Sequence, residues 1–347
     1  MTQIIFFGEC MLEQSSGNST RFGGDSLNSA VYFSRTYEKT NVNDNDSDVI
    51  YYATAVGCDK SSEYLLSCWQ EEGINTELVK KVTNKKLGHY CITTNDEGER
   101  QFTYQRDDSA AKYYFSDNKI EQTTERLSQA LLNNQIDWFY FSGISLAILP
   151  AQDCQMLFTL LSEFKKRGGK VIFDNNYRKI LWKNRDVTEC YQQAIQLADI
   201  AFLTDEDEYA LYGGCPNNKP DGIDSILKRY QQPPYQHCEI VIKQGSEPCI
   251  IRAAANESFA LSSETGVTEV KTQTIETEKI IDTGAAGDAF AAGYLAKRLA
   301  GKNIVDSATF AHRLAGRVIQ YSGAIIPRSA MADLMTSTKQ QFNKNTD

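Results

Sequence analysis

Asp282-Thr283-Gly284-Ala285-Ala286-Gly287-Asp288-Ala289-Phe290 leads small residues straight into a helical pattern and places a carboxylate at its start. With so little side-chain bulk from Gly284 to Gly287, backbone N–H groups can approach an anion closely, and the N-terminus of the following helix adds a favourable field. A carboxylate at Asp288 is then placed to take a proton from an attacking hydroxyl while the amides hold charge on the transferred group. The same residues also suit a plain turn in which Asp288 caps the helix, and from these nine residues both readings stand. Either way a tight turn opens a helix, as α/β proteins do repeatedly.

Outward from that turn, apolar β-rich runs alternate with helical periodicity. Strands are expected at Ile4 to Phe7, Val49 to Val56, Trp138 to Ser142, Val171 to Asp174, Ile200 to Leu203 and Ile240 to Lys243, with helices beginning near Asp25, Lys60, Gln152, Asp186 and Asp205. The third helix closes on Gly168-Gly169, a usual helix terminus. The alternation predicts an α/β fold with a doubly wound, mainly parallel sheet flanked by helices. From about Thr76 to Arg106 the rhythm breaks: Leu87 to Thr94 and Gln101 to Arg106 read as two strands joined by the polar turn Asn95-Asp96-Glu97-Gly98. A small β-sheet lid follows from this, with elements within about 10–24 and 76–112 of one domain spanning 1–335. Residues 41–48 read as an exposed polar loop, and 336–347 as a polar tail without an apolar face.

Composition narrows the chemistry. The 347 residues, 41% hydrophobic, suffice for a large core. The 36 Lys and Arg against 45 Asp and Glu leave a net charge of -9, which argues against a broad cationic face for nucleic acid or an anionic membrane. An anionic substrate must then be caught by a few local arginines. No apolar run reaches the roughly 18–20 residues of a membrane span, and the opening MTQIIFFGEC reads as a strand without a cationic signal region, so a cytoplasmic protein is expected. Nine cysteines without a C-x-x-C pair suggest reduced thiols, and three scattered histidines, His89, His237 and His312, support neither a zinc site nor a Ser/His/Asp triad.

Further clusters fall where such a fold binds ligands, at the carboxyl ends of its strands. Arg21-Phe22-Gly23-Gly24-Asp25-Ser26-Leu27-Asn28 starts a helix after a glycine pair, so Asp25 and Asn28, a turn apart, can hydrogen-bond a polyol; alternatively Asp25 is an N-cap. Phe173-Asp174-Asn175-Asn176-Tyr177-Arg178 crowds an acid, two amides and a cation onto one strand end. On the lid strands Tyr90, Tyr104 and Arg106 suit a sugar face and a carboxylate, or else a structural aromatic pair and a surface charge.

Together these segments resemble the ribokinase-like (PfkB) carbohydrate kinases over about residues 3–328. The resemblance is carried by FGGDSLN (22–28), SGISLAI (142–148), FDNNYRKILW (173–182), DTGAAGDAF (282–290) and QYSGAIIPR (320–328), and is strongest toward members acting on 2-dehydro-3-deoxy-D-gluconate. It implies ATP-dependent phosphorylation of that sugar acid's primary hydroxyl, giving the 6-phosphate. By the same resemblance Asp288 is the catalytic base and the backbone of Ala285, Ala286 and Gly287 the anion hole. Gly23, Gly24, Asp25 and Asn28 contact the sugar, Tyr90, Tyr104, Arg106 and Arg178 complete its pocket, and Arg106 and Arg178 are the candidates for the carboxylate. ATP is implied at Asn176, Thr204, Lys243, Gly245, Ser246, Glu247, Gly284, Ala285, Ala286 and Gly287, with Ala311, Ala315 and Ile319 beside adenine. Mg²⁺ is expected to arrive with the nucleotide, with Asp207 as a candidate contact through water. Small apolar positions such as Ala311 are also ordinary core residues.

The chain departs from the family where Ala285 replaces a usual glycine, and where Thr204 and Asp207 replace Asn and Glu. The small-molecule partner is expected to be the sugar acid, with neither nucleic acid nor membrane, and a homo-oligomer through the lid is compatible with the resemblance. Competing readings are a kinase for a neutral sugar or nucleoside and a catalytically silent sugar-binding regulator. A nicotinamide dehydrogenase is disfavoured, because Gly8-Glu9-Cys10 lacks the G-x-G-x-x-G turn.

Overall fold

The computed structural model describes residues 2–14, 20–37, 48–94, 100–115, 121–183, 185–213, 219–255 and 266–335. The expected turn at Asn95 to Gly98, most of the loop at 41–48 and the tail from 336 lie outside them.

In chain order the strands are β1 (Gln3–Phe7), β2 (Met11–Gln14), β3 (Thr20–Gly23), β4 (Val49–Val56), β5 (Ile74–Asn75), β6 (Val79–Lys81), β7 (Gly88–Thr94), β8 (Arg100–Gln105), β9 (Trp138–Ser142), β10 (Lys170–Asp174), β11 (Ile200–Thr204), β12 (Glu239–Lys243), β13 (Cys249–Arg252) and β14 (Val267–Val270). The helices are α1 (Asp25–Thr36), α2 (Lys60–Glu71), α3 (Glu121–Leu132), α4 (Gly143–Ile148), α5 (Ala151–Lys166), α6 (Lys179–Trp182), α7 (Val187–Leu197), α8 (Asp205–Tyr212), α9 (Lys219–Gln231), α10 (Ala286–Leu299) and α11 (Ile304–Val318).

The large sheet runs β14-β13-β12-β11-β10-β9-β1-β4-β5, with β6 also on β4, and is parallel from β12 through to β5. Its central strands are apolar throughout because helices cover both faces. Alternation sorts their side chains: Ile4, Phe6, Ile172, Phe202 and Val241 join the core beneath α1, α10 and α11, while Ile5, Phe7, Phe173, Leu203 and Ile242 join the one beneath α5 and α7. The predicted doubly wound, mainly parallel sheet is therefore the one observed. Two features were not anticipated. The short antiparallel pair β13–β14 closes one edge, and Val79–Lys81 pairs with β4, so the stretch from Thr76 does not belong to the small sheet throughout.

The small sheet, β3-β2-β7-β8, joins the two expected hairpin strands to an earlier pair. Its register sets Gly23, Met11 and Gly88 side by side, which brings the start of α1 against this sheet. Helix α5, the one expected from near Gln152, ends as expected, with Gly168 at φ +92°, a conformation that favours glycine. Among the described residues no helix is long and apolar enough to cross a membrane.

Candidate active site

Parallel register puts the carboxyl ends of neighbouring strands level: Asp174 lies opposite Ser142 and Phe202, and Thr204 opposite Lys243. Above them α1 and α10 pack together, each starting with its acid near this edge. Asp288, in the first turn of α10, does not cap its helix. Instead its Oδ2 accepts from Asn28 Nδ2 at 2.8 Å, across 260 residues of chain. Asp25 likewise is the first helical residue and no cap, and its Oδ2 accepts from Asn176 Nδ2 at 3.0 Å. The two capping alternatives are thereby set aside, and four of the candidate residues meet through side chains.

Lys243 Nζ reaches both oxygens of buried Asp174, at 2.9 and 3.1 Å. A Cβ added to Gly287 would stand 3.5 Å from the same ammonium, so the lysine borders the small-residue turn. Within that turn Gly284 N donates to Asp282 Oδ1 at 3.0 Å and Ala286 N to the Thr283 carbonyl at 3.1 Å. The amides of Ala285, Gly287 and Asp288 have no partner among the described residues. Orphan amides at a helix start attract negative charge. Asp282 Oδ2 also accepts from Gly323 N at 3.0 Å, which ties the turn to the segment after α11.

The carboxylates feel this crowding. Burial, and after it the charge of Asp25, pushes Asp288 from the usual carboxylate range up to about 8, against the Asn28 hydrogen bond and Lys243. Burial also raises Asp174, opposed by Lys243, and Asp207, opposed by Arg178.

Among the candidates for the acceptor, Gly23 lies against Asn28, Tyr90 and Ala324. Asn28 Oδ1 is buried without a partner among the described residues, so it can still accept from a hydroxyl. Tyr90 stacks obliquely on Tyr104 at 5.8 Å and donates to Glu13 Oε2 at 2.8 Å. The expected arginines are both engaged: Arg106 donates to buried Glu9, while half-exposed Arg178 donates to its neighbour's Tyr177 carbonyl and stands 3.5 Å from Asp207 Oδ1.

The remaining candidates sit at the ends of β11 and β12 and on or just after α11. Thr204 is held through its backbone by Asn175, and the φ of Gly245 is +60° in the turn after β12, where Gly245, Ser246 and Glu247 line a cavity of about 650 Å³ with Asp205 and Tyr209. Ala315 and Ile319 are half-buried at the end of α11, where the Ile319 carbonyl takes the amides of Ile281 and Asp282. Ala311 is fully buried, with its backbone against Gly293 of α10. Glu9, Glu13 and the clamp made by Asp282 are contacts that no motif in the sequence marks. The available signal for Glu9 was an acid directly after the apolar strand QIIFFG.

A buried carboxyl raised well out of the usual range, orphan amides and a lysine at the strand ends of a doubly wound sheet fit a class, the phosphotransferases of α/β architecture. The comparisons agree. Residues 2–331 match the model of the pfkB family carbohydrate kinases. The chain is similar to 2-dehydro-3-deoxygluconokinase of Escherichia coli (strain K12), 39% identical over 333 residues covering 95% of this chain and 98% of that protein. A second protein of that name, from Haemophilus influenzae, is 33% identical over 341 residues, covering 97% and 99%. Fructokinase with bound ATP from Xylella fastidiosa has a similar fold, with a TM-score of 0.71 at 18% identity, covering 97% of this chain and 99% of that one. This chain belongs to the pfkB family and is a carbohydrate kinase.

Proposed function

We propose that the chain transfers the γ-phosphoryl group of ATP to the primary hydroxyl of 2-dehydro-3-deoxy-D-gluconate, giving the 6-phosphate and ADP. The observation that carries this reading is the meeting of Asp288 with orphan amides of its own helix start, beside Lys243. Relatives named 2-dehydro-3-deoxygluconokinase supply the acceptor.

Asn28 orients the Asp288 carboxylate by holding Oδ2, and Asp288 takes the hydroxyl proton as the oxygen bonds to the γ-phosphorus. The bond from that phosphorus to the β–γ bridging oxygen breaks, and the electron pair leaves with ADP. The amides of Ala285 and Gly287 and the Lys243 ammonium meet the charge on the transferring group, the main requirement of this chemistry. Among the described residues no three His, Cys, Asp or Glu side chains form a metal cage. A Mg²⁺ brought by the triphosphate would neutralise phosphate charge here, with Asp207 the candidate for contact through a bridging water. Gly23, Asp25, Asn28 and Tyr90 hold the sugar, and Arg106 and Arg178 face its carboxylate.

A second reading, a kinase for a neutral sugar, has its own support: both arginines already answer to protein acids, Glu9 and Asp207. A coupled ATP-consumption assay over a panel of sugar acids, neutral sugars and nucleosides separates them. The expected result is highest kcat/KM for 2-dehydro-3-deoxy-D-gluconate. Preference for a neutral sugar transfers the conclusion to the second reading.

A further inference from the structure

Glu9 lies two residues beyond β1, only 1% exposed, and touches both halves of the acceptor pocket. Its carbonyl oxygen occupies the space that a side chain at Gly24 would need, so its backbone fixes how the glycine pair approaches the strand end. Its carboxylate accepts from Nη2 of Arg106, which follows β8, across the foot of the lid. Gly88 lies beside both: a Cβ there would stand 2.9 Å from Glu9 Oε1 and 3.1 Å from Arg106 Cβ. The register then runs from Gly88 through Met11 to Gly23, which abuts Asn28. One buried acid thus connects the candidate sugar-binding segment with the candidate carboxylate-binding arginine.

The pairing is incomplete. Glu9 Oε1 and Arg106 Nε, both buried, have no partner among the described residues. A buried ion pair that leaves polar atoms unsatisfied is weak evidence for stability, since desolvation offsets much of its attraction. Its physical consequence is geometric: a long side chain with many rotamers is held in one place, with part of its donor fork still uncommitted.

We infer that Glu9 is the positioning residue of the acceptor site, holding the Arg106 guanidinium where the carboxylate of a sugar acid meets it. The inference rests on the carboxylate role proposed above for Arg106. Glu9 touches no reacting atom and acts only through the arginine.

The test is steady-state kinetics on 2-dehydro-3-deoxy-D-gluconate and on a neutral analogue with CH₂OH in place of the carboxylate. Parent, Glu9→Gln, Arg106→Met and the double variant are compared. Glu9→Gln is expected to raise KM for the acid about tenfold, on the scale of one charge-assisted hydrogen bond, while kcat and the KM for ATP stay within about twofold. The neutral analogue should be indifferent to it, and in the Arg106→Met background Glu9→Gln should add nothing. Glu9→Asp keeps the charge paired but draws the guanidinium back by a methylene, and should give the same acid-only rise if Glu9→Gln does not fold. Equal losses on acid and neutral acceptors, or a Glu9 effect that survives Arg106→Met, overturn the inference and leave Glu9 a brace for the lid. If Arg106→Met separates acid from neutral but the Glu9 variants are silent, Glu9 alone is wrong. If Arg106→Met itself fails to separate them, the carboxylate role falls, and the inference with it.

Discussion

The proposed nucleotide side and the proposed acceptor side of this site are built from different materials. Around Gly284 to Asp288 the working groups are backbone amides, kept accessible by small side chains, with one lysine beside them. Around Gly23, Asn28 and the lid they are side chains held by other side chains: Asn28 by Asp288, Asp25 by Asn176, Tyr90 by Glu13, Arg106 by Glu9. Every nucleotide offers the same phosphates, which backbone can recognise whatever the residue. An acceptor differs from its competitors by single groups, which only positioned side chains can distinguish. Asp288 stands at the seam, with its backbone on one side and its carboxylate on the other.

That contrast is open to attack at three points. The largest effect belongs to the seam: Asp288→Asn should lower kcat by about 10²–10⁴ with every acceptor while ATP still binds, measured by turnover beside nucleotide titration. Because the base must be deprotonated, kcat/KM of the parent should climb with pH toward about 8, where the raised Asp288 carboxyl titrates. Near-normal turnover in folded Asp288→Asn removes the base from the mechanism. Next is the nucleotide side. Lys243→Met should cost about ten- to a hundredfold in kcat/KM for ATP, the worth of a charge-assisted contact, and equally with acid and neutral acceptors. A loss confined to one acceptor would erase the division between the two sides.

The smallest effect is on stability. The folded-state pKa of Asp288 lies above its unfolded value near 3.8, mainly through burial, so the folded chain holds an extra proton between about pH 4 and 8. Folding stability attributable to this group therefore falls as pH rises through that window. Asp288→Asn removes the cost, and should raise Tm by roughly 2–4 °C at pH 8, with the gain fading toward pH 4. Thermal melts across that range check it; a gain independent of pH would mean that the charge is not the cause.

Local signals made the frame legible: six apolar strands, helix starts at Asp25, Lys60 and Asp205, and two lid strands stand within a residue or two of their expected places. Hydrophobic periodicity is a property of neighbouring residues, so it can be read along the chain. The edge pair β13–β14 escaped because two four-residue strands carry too little pattern. The attachment of Val79–Lys81 to β4 escaped because pairing partners are chosen by the sheet, not by the strand.

For the site, the chain by itself determined which residue types are present and where the backbone is bare. DTGAAGDAF and FGGDSLN mark a turn fit for an anion and a polar helix start whatever surrounds them. Which of these touch was decided only in three dimensions. Asn28 finds Asp288 across 260 residues, Glu9 finds Arg106 across 97, and Ala311 is buried where α11 meets α10. Such contacts depend on the packing of α1 on α10 and of the small sheet beside the strand ends. Sequence separation carries no information about them, because closing a longer loop costs only slowly more entropy and long-range partners are selected by burial and charge.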